Sequence, residues 1–119
     1  MKYIRVDIPI TEYYFMPAFI WKKKRYFKKA TGSKGDACFF WGVHNQDYPL
    51  IGELHFVKGL IGVGMAAHEL THAALRFSAV MDKEENEEFL CETARVMTRR
   101  FWNAIRENKK SNKWIYKDK

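Results

Sequence analysis

The sequence predicts one α+β domain over residues 1–119, in which a short mixed or antiparallel sheet packs on two helices. The strands are indicated by an alternating segment near the N-terminus and by two short apolar, aromatic runs in the middle of the chain. The helices are indicated by two later segments with apolar residues at helical spacing, of which the second is the longer. A chain of 119 residues can bury one core but not two.

Composition narrows the class of protein. A hydrophobic fraction of 47%, with 9 Phe, 6 Tyr and 4 Trp, excludes a mainly disordered chain. No apolar run reaches the roughly 20 residues that a membrane-spanning helix needs. Cys38 and Cys91 are too far apart in sequence for a short metal-binding pair, and the N-terminus has no signal-peptide pattern. We therefore expect a protein of the reducing cytoplasm.

The first third of the chain predicts a strand followed by a helix. Residues 2–10 alternate apolar and polar side chains, and Pro9 favours an edge position for this strand. Pro17 predicts the first turn of a helix that continues to about residue 29. Its inward-facing residues would be Phe19, Ile20, Phe27 and Tyr26. Residues 31–36 predict a loop because they are rich in Gly, Ser, Lys and Asp.

Two further strands are predicted in the middle of the chain. Residues 37–43 form a short aromatic run, residues 45–49 predict a turn, and residues 50–57 predict the next strand. Alternation places Leu50, Leu54 and Phe56 on one face of that strand. The other face would carry Ile51, Glu53, His55 and Val57. Because this second face bears polar groups, we expect it to look into a cleft or into water.

The predicted central helix runs from Val63 to Ser78, with Met81 as its furthest end. Its residues are apolar almost all round, which is typical of a buried helix. The acidic residues 82–88 predict a connection and the first turn of a second helix, which continues to about Glu107. The apolar stripe of that helix consists of Leu90, Ala94, Met97, Phe101 and Ile105. The basic tail, about 108–119, contains Trp114, Ile115 and Tyr116, which can pack back on the domain.

The central helix contains the pattern His-Glu-x-x-His at residues 68–72. Residues four apart lie on one face of a helix, so His68 and His72 can offer two imidazoles to one metal. The pattern arises by chance about once in a hundred chains of this composition, so it needs support. The support is that the helix is otherwise apolar and that its ionisable residues share one stripe: His68, Glu69, His72 and Arg76.

Ionisable groups on a buried stripe cost free energy unless they are hydrogen-bonded or bound to a cation. The structural alternative is a pair of core histidines whose hydrogen bonds are satisfied by backbone or side-chain partners. We favour a metal, and Zn²⁺ in particular, because neutral imidazoles suit zinc. A catalytic zinc site normally has three protein ligands and one open position.

The expected position of the second helix alongside the first favours Glu88 as the third ligand. If the central helix ends near residue 78 and the loop centres near residue 80 or 81, the second helix passes His72 at about residues 88–90. Glu87 is an alternative because it is in line with the inward stripe. Glu92 fits only if the first helix extends fully to Met81.

A zinc site of this kind predicts hydrolysis. Glu69 would act as the general base towards water and pass the proton to the departing amine. The oxyanion formed in the transition state needs a further donor. Spacing leaves four candidates for it, namely His55, Arg76, Tyr48 and His44. We name His55 as the catalytic candidate beside Glu69 because its face of the strand is expected to border the cleft.

Three segments resemble the minimal zincin-like proteins, which are single-domain HExxH metallopeptidases of the gluzincin type often encoded by bacteriophage and prophage. They are Gly-Glu-Leu-His-Phe at 52–56, Ala-Ala-His-Glu-Leu-Thr-His-Ala-Ala at 66–74 and Glu-Glu-Phe-Leu-Cys-Glu-Thr at 87–93. The resemblance implies a zincin-like fold, with a strand along the cleft before the active-site helix. It also implies zinc on His68, His72 and Glu88, with Glu69 as the base, and a host cytoplasm as location.

Two functions compete at this stage. The first is a zinc metallopeptidase acting on a peptide or protein. The second is a binding protein on the same scaffold that contacts a host nucleic acid or protein complex through its basic surface, with Lys22, Lys23, Lys24 and Arg25 as its centre. Basic residues beside aromatic ones can contact phosphates and stack on bases. The net charge of +7 permits such binding, although it also serves plain solubility.

Overall fold

The computed structural model describes residues 1–41 and 50–115. Within these ranges the chain forms a four-stranded sheet and four helices. The strands are β1 (Tyr3–Pro9), β2 (Phe15–Trp21), β3 (Ala37–Phe40) and β4 (Glu53–Val57). The helices are α1 (Lys24–Thr31), α2 (Val63–Val80), α3 (Glu87–Glu107) and the short α4 (Lys109–Asn112).

The sheet is mixed and has the strand order β1-β2-β4-β3. β1 pairs with β2 and β3 pairs with β4 in antiparallel fashion, while β2 and β4 are parallel. The predicted α+β class with a mixed sheet is confirmed, and so is the edge position of the first strand. β3 forms the opposite edge, next to α2.

The predicted helix from Pro17 is wrong, because this segment is β2. Met16, Ala18 and Ile20 alternate with their neighbours and are fully buried against the helices. Pro17 is tolerated because the parallel pairing with β4 begins one residue later, at Ala18. The helix starts only at Lys24 and ends at Thr31, and the next residue, Gly32, has a φ of 71°, the left-handed conformation common after a helix.

The core lies between the sheet and the pair α2 and α3. Phe56 of β4 meets Phe101 of α3 with ring centres 5.5 Å apart. α2 lies towards the β3 edge and α3 towards the β1 edge. Fully buried side chains on the sheet side include Ile8, Met16, Ala18, Ile20, Leu54 and Phe56, and on the helix side Ala66, Ala73, Ala74, Met97, Phe101 and Ile105. α1 packs on β2 and β4 and buries Phe27, as predicted.

Residues 114 and 115 contact the segment that leads from β4 into α2. Trp114 accepts a hydrogen bond of 2.6 Å from the backbone N–H of Gly59, and Ile115 forms a bridge with Ile61. These contacts confirm that Trp114 and Ile115 pack back on the domain, while Tyr116 is outside the described residues. The turn before α2 therefore has a defined position.

Both long helices have the predicted extents. α2 ends within the range expected for it, and α3 ends at Glu107. Asn86 caps α3, because its side chain accepts a hydrogen bond of 2.9 Å from the N–H of Phe89. The expectation that α2 is buried all round is wrong, since Ala67 and Leu75 are exposed. None of the helices in the described part of the chain is long and apolar enough to cross a membrane.

Candidate metal centre

His68 and His72 face each other on the exposed side of α2. Their Nε2 atoms are 3.3 Å apart, and their rings are nearly perpendicular at 77°. Two nitrogens bound to one tetrahedral zinc at about 2.0–2.1 Å are themselves about 3.3 Å apart. The separation of the two imidazoles therefore matches that of two ligands of a single zinc ion.

Glu69 adds a buried carboxylate to this pair. Its Oε2 lies 4.0 Å from Nε2 of His68, and the residue is only 7% exposed. One ligand atom from each of His68, Glu69 and His72 can be chosen so that all lie within 4.8 Å of one another. The described residues contain no other group of three such side chains. The structure thus brings together the three residues of the motif.

Burial of the three motif residues differs from the sequence expectation. The side chain of His68 is 69% exposed and His72 is exposed as well, so neither imidazole carries the desolvation cost that the sequence analysis assigned to them. Glu69 is the buried member. A buried carboxylate is stabilised by a nearby cation, and a metal on the two imidazoles would provide one.

The three residues line an open cavity of about 570 Å³ between α2 and the edge strand β3. The β3 side is formed by Ala37, Cys38, Phe39 and Trp41, and the α2 side adds Leu75 and Arg76. Burial raises the pKa of the Cys38 thiol. Cys38 is the register partner of His55, so its thiol lies on the face of the sheet that is turned away from α2. Of the proposed oxyanion donors, Arg76 lies in this cavity.

His55 does not lie in this cavity. Leu54 and Phe56 face the core, so His55 points to the opposite side of the sheet, where it is 6% exposed. Its ring stacks on Phe19 at 4.9 Å. The expectation that this histidine looks into a cleft or into water is therefore wrong, and the structure does not bring it together with Glu69.

The tautomer of His55 follows from its partners. Nε1–H of Trp21 can only donate, and it lies 3.0 Å from Nδ1 of His55. Nδ1 is therefore the acceptor, and the proton sits on Nε2, which lies 3.1 Å from a carboxylate oxygen of Glu53. Burial lowers the pKa of His55 below its ordinary 6.5, although Glu53 acts in the opposite direction.

This lowered pKa predicts a loss of stability in mild acid. Between the folded-state pKa of His55 and about 6.5, the unfolded chain binds a proton that the folded chain does not. The free energy of unfolding should therefore fall as the pH drops from about 7 towards 5. Urea denaturation followed by Trp fluorescence measures it. The slope should be smaller in His55→Gln, and an equal slope in both proteins would contradict the assignment.

The structure does not bring Glu88 to the histidine pair. Phe77 of α2 stacks on Phe89 of α3 at 6.0 Å, which sets the level of the two helices. Because the two helices run in opposite directions, His72, five residues before Phe77, lies beside about residue 94 of α3. The connection spans residues 81–86, so its centre lies later in the chain than the predicted residue 80 or 81, and Glu88 lies near the level of Ser78 instead.

The alternative third ligands are also remote from the pair. Glu87 and Glu88 line a separate depression with residues 82–86. Glu92 is exposed and pairs with Arg95, which holds the pKa of its carboxyl below the usual range. The cavity lining within the described residues includes no part of α3. Tyr48 and His44, two of the proposed oxyanion donors, are outside the described residues.

The basic run is exposed at the junction of β2 and α1. Lys24 forms an ion pair of 2.8 Å with Asp36. The ring of Tyr26 has Lys23 at 6.0 Å and Arg25 at 5.1 Å, and Lys2 approaches it at 5.4 Å. A hydrogen bond from Arg25 lowers the pKa of Tyr26. The run is therefore a cluster of cations around an aromatic ring.

Sequence reasoning missed Trp41 as a member of the site. The guanidinium group of Arg76 lies over Trp41, with Cζ 4.5 Å from the centre of the ring. The two residues are 35 positions apart in the chain. A pattern within either segment carries no signal for this contact, because it depends on β3 being the edge strand beside α2.

Comparison of the chain with models of known protein families, with curated proteins and with solved structures gave no match.

Proposed function

We propose that the protein is a zinc-dependent peptidase whose centre is His68, Glu69 and His72. The carrying observation is the separation of 3.3 Å between the two Nε2 atoms, which matches two ligands of one tetrahedral zinc. The buried carboxylate of Glu69 beside this pair supports hydrolysis rather than metal storage. The zincin-like resemblance of the flanking sequence supports the same activity.

In this proposal each residue has one role. His68 and His72 hold the zinc, which when bound supplies a Lewis acid for a carbonyl group and for water. Glu69 is the general base, accepting a proton from the attacking water and returning it to the departing amine. Arg76 lies on the wall of the same cavity. His55 has no place in this mechanism because it is on the other side of the sheet.

The shape of the cavity favours an extended peptide as substrate. β3 is an edge strand, and it forms one wall of the cavity. The free edge of a strand offers backbone N–H and C=O groups to an extended chain. A peptide bound beside β3 would pass the histidine pair on α2. Cys38 and Cys91 are both free thiols, which agrees with the cytoplasm as the proposed location.

Metal removal tests the proposal. Wild-type protein should cleave a mixture of fluorescence-quenched peptides, lose this activity on treatment with a chelator, and recover it when about one equivalent of zinc is returned. Magnesium should not restore activity, because imidazole ligands disfavour it. Cleavage that is unchanged by the chelator, or no cleavage by zinc-loaded protein, would contradict the proposal.

A second candidate function is nucleic-acid or acidic-protein binding through residues 22–25. The observation in its favour is that three exposed cations surround the aromatic ring of Tyr26. Cations can contact phosphates, and an aromatic ring can stack on a base. This surface is at the β2–α1 junction, whereas the metal centre is at the β3 edge. Glu69 has no part in this second function.

A further inference from the structure

Arg76 contributes a positive charge to the same cavity as the metal centre. It follows His72 by four residues on α2, so their Cβ atoms are about 5–6 Å apart along one face of the helix. Its guanidinium lies over Trp41, with Cζ 4.5 Å from the ring centre. Stacking on an aromatic ring restrains the plane of a guanidinium group. Arg76 is therefore held at a set distance from the histidines.

Within residues 1–41 and 50–115, the Arg76 guanidinium has no ion-pair partner and its Nε has no hydrogen-bond partner. Its Nε is buried and has no hydrogen-bond partner among the described residues. No carboxylate of residues 1–41 or 50–115 forms an ion pair with Arg76, whereas Arg95 on α3 is bonded to Glu92. A buried donor without a partner costs free energy. An anion that enters the cavity would pair with the charge of this guanidinium.

We propose that Arg76 and Trp41 form a carboxylate-binding subsite, which selects peptides carrying a carboxylate near the cleaved bond. The planar guanidinium offers two parallel N–H donors, which match the two oxygens of a carboxylate. This inference rests on the proposed peptidase function and names its substrate class.

Direct binding tests the subsite apart from catalysis. We would use the full chain with Glu69→Gln to prevent cleavage, both metal-free and zinc-loaded. The probes are three dansyl-labelled Ala-Gly hexapeptides: one amidated and neutral, one with a free C-terminal carboxylate, and one amidated with an internal Asp. Dissociation constants come from fluorescence anisotropy. The comparison of the two acidic probes identifies the source of the carboxylate.

At least one acidic probe should bind about tenfold or more tightly than the neutral probe, because a charge-assisted hydrogen bond is gained. Arg76→Gln should remove the difference. Arg106→Gln is the matched control, since Arg106 lies over Trp102 at 5.4 Å and is not part of the cavity. This variant should keep the preference.

Four outcomes would overturn the subsite: equal affinity for all probes, no binding of any probe, a preference that survives Arg76→Gln, or a preference lost equally in Arg106→Gln. If Arg76→Gln does not fold by circular dichroism, Arg76→Lys replaces it. This variant keeps the charge without the planar pair of donors, and its preference should fall several-fold. A preference equal to that of the parent would contradict the proposal.

The subsite and the peptidase can fail separately. If the chain binds no zinc but the metal-free protein prefers acidic probes through Arg76, the peptidase proposal fails and the subsite is retained. If zinc-loaded protein cleaves peptides but shows no preference that depends on Arg76, the subsite alone is wrong.

Discussion

Replacing His72 with alanine is expected to lower the affinity for zinc by at least about 100-fold, since even partners one step removed from a metal contribute 10- to 100-fold. The Nε2 atoms of His68 and His72 are 3.3 Å apart, so each supplies one of two adjacent ligands. Removal of either imidazole leaves one of these two nitrogen ligands. Zinc content after dialysis, together with competition against a fluorescent chelator, measures the change.

Stability provides an independent measure of the same effect. A ligand that binds only the folded chain adds about 2.7 kcal/mol at a concentration 100 times its dissociation constant. Zinc should therefore raise the melting temperature of the wild type but not of His72→Ala. Thr71→Ala is the matched control, because Thr71 is exposed on the same turn and its hydroxyl donates to the backbone carbonyl of Ala67. Zinc retained by His72→Ala, or none bound by the wild type, would reject the centre.

The long helices could be predicted because their signal is local. α3 keeps its apolar stripe over 21 residues, and Met97, Phe101 and Ile105 of that stripe are fully buried. Its start is also coded locally, by the Asn86 cap before two acidic residues. An apolar pattern that repeats over 21 residues identifies the helix even where its first and last residues are less well defined.

β2 could not be predicted in the same way. Residues 15–21 are aromatic and apolar with a proline in the middle, and such a short run fits a helix start and a strand equally well. The decision comes from partners elsewhere in the chain. β1 covers one side of this segment and β4 covers the other, and neither is visible in the segment itself.

The site shows the same division between local and distant information. The spacing of His68 and His72 is a property of one helix, so the pair could be predicted from the motif. The level of Glu88 depends on where the connection between α2 and α3 is centred, and the later centre places Glu88 away from His72. For His55, alternation along β4 was predicted, but not which face of the sheet the helices would cover. Tertiary packing settled both.

Replacing Glu69 with glutamine is expected to lower peptide hydrolysis by about 10²- to 10⁴-fold, the usual contribution of a general base. Glutamine has nearly the same shape, but its amide cannot accept the proton of the attacking water. Zinc binding should be retained, because the two imidazoles are unchanged. The measurements are zinc content and the rate of cleavage of the quenched peptide mixture, taken on the same preparations.

Glu88→Gln is the matched control for this substitution. Glu88 is exposed in the first turn of α3 and lines a separate depression, so its variant should keep both zinc and activity. Loss of zinc in Glu88→Gln would instead restore the third ligand that the sequence predicted.

The same pair of variants separates the two candidate functions, since salt-sensitive binding of nucleic acid through residues 22–25 should not respond to Glu69→Gln. If Glu69→Gln cleaves peptides as fast as the wild type, Glu69 is not the base and the peptidase mechanism fails.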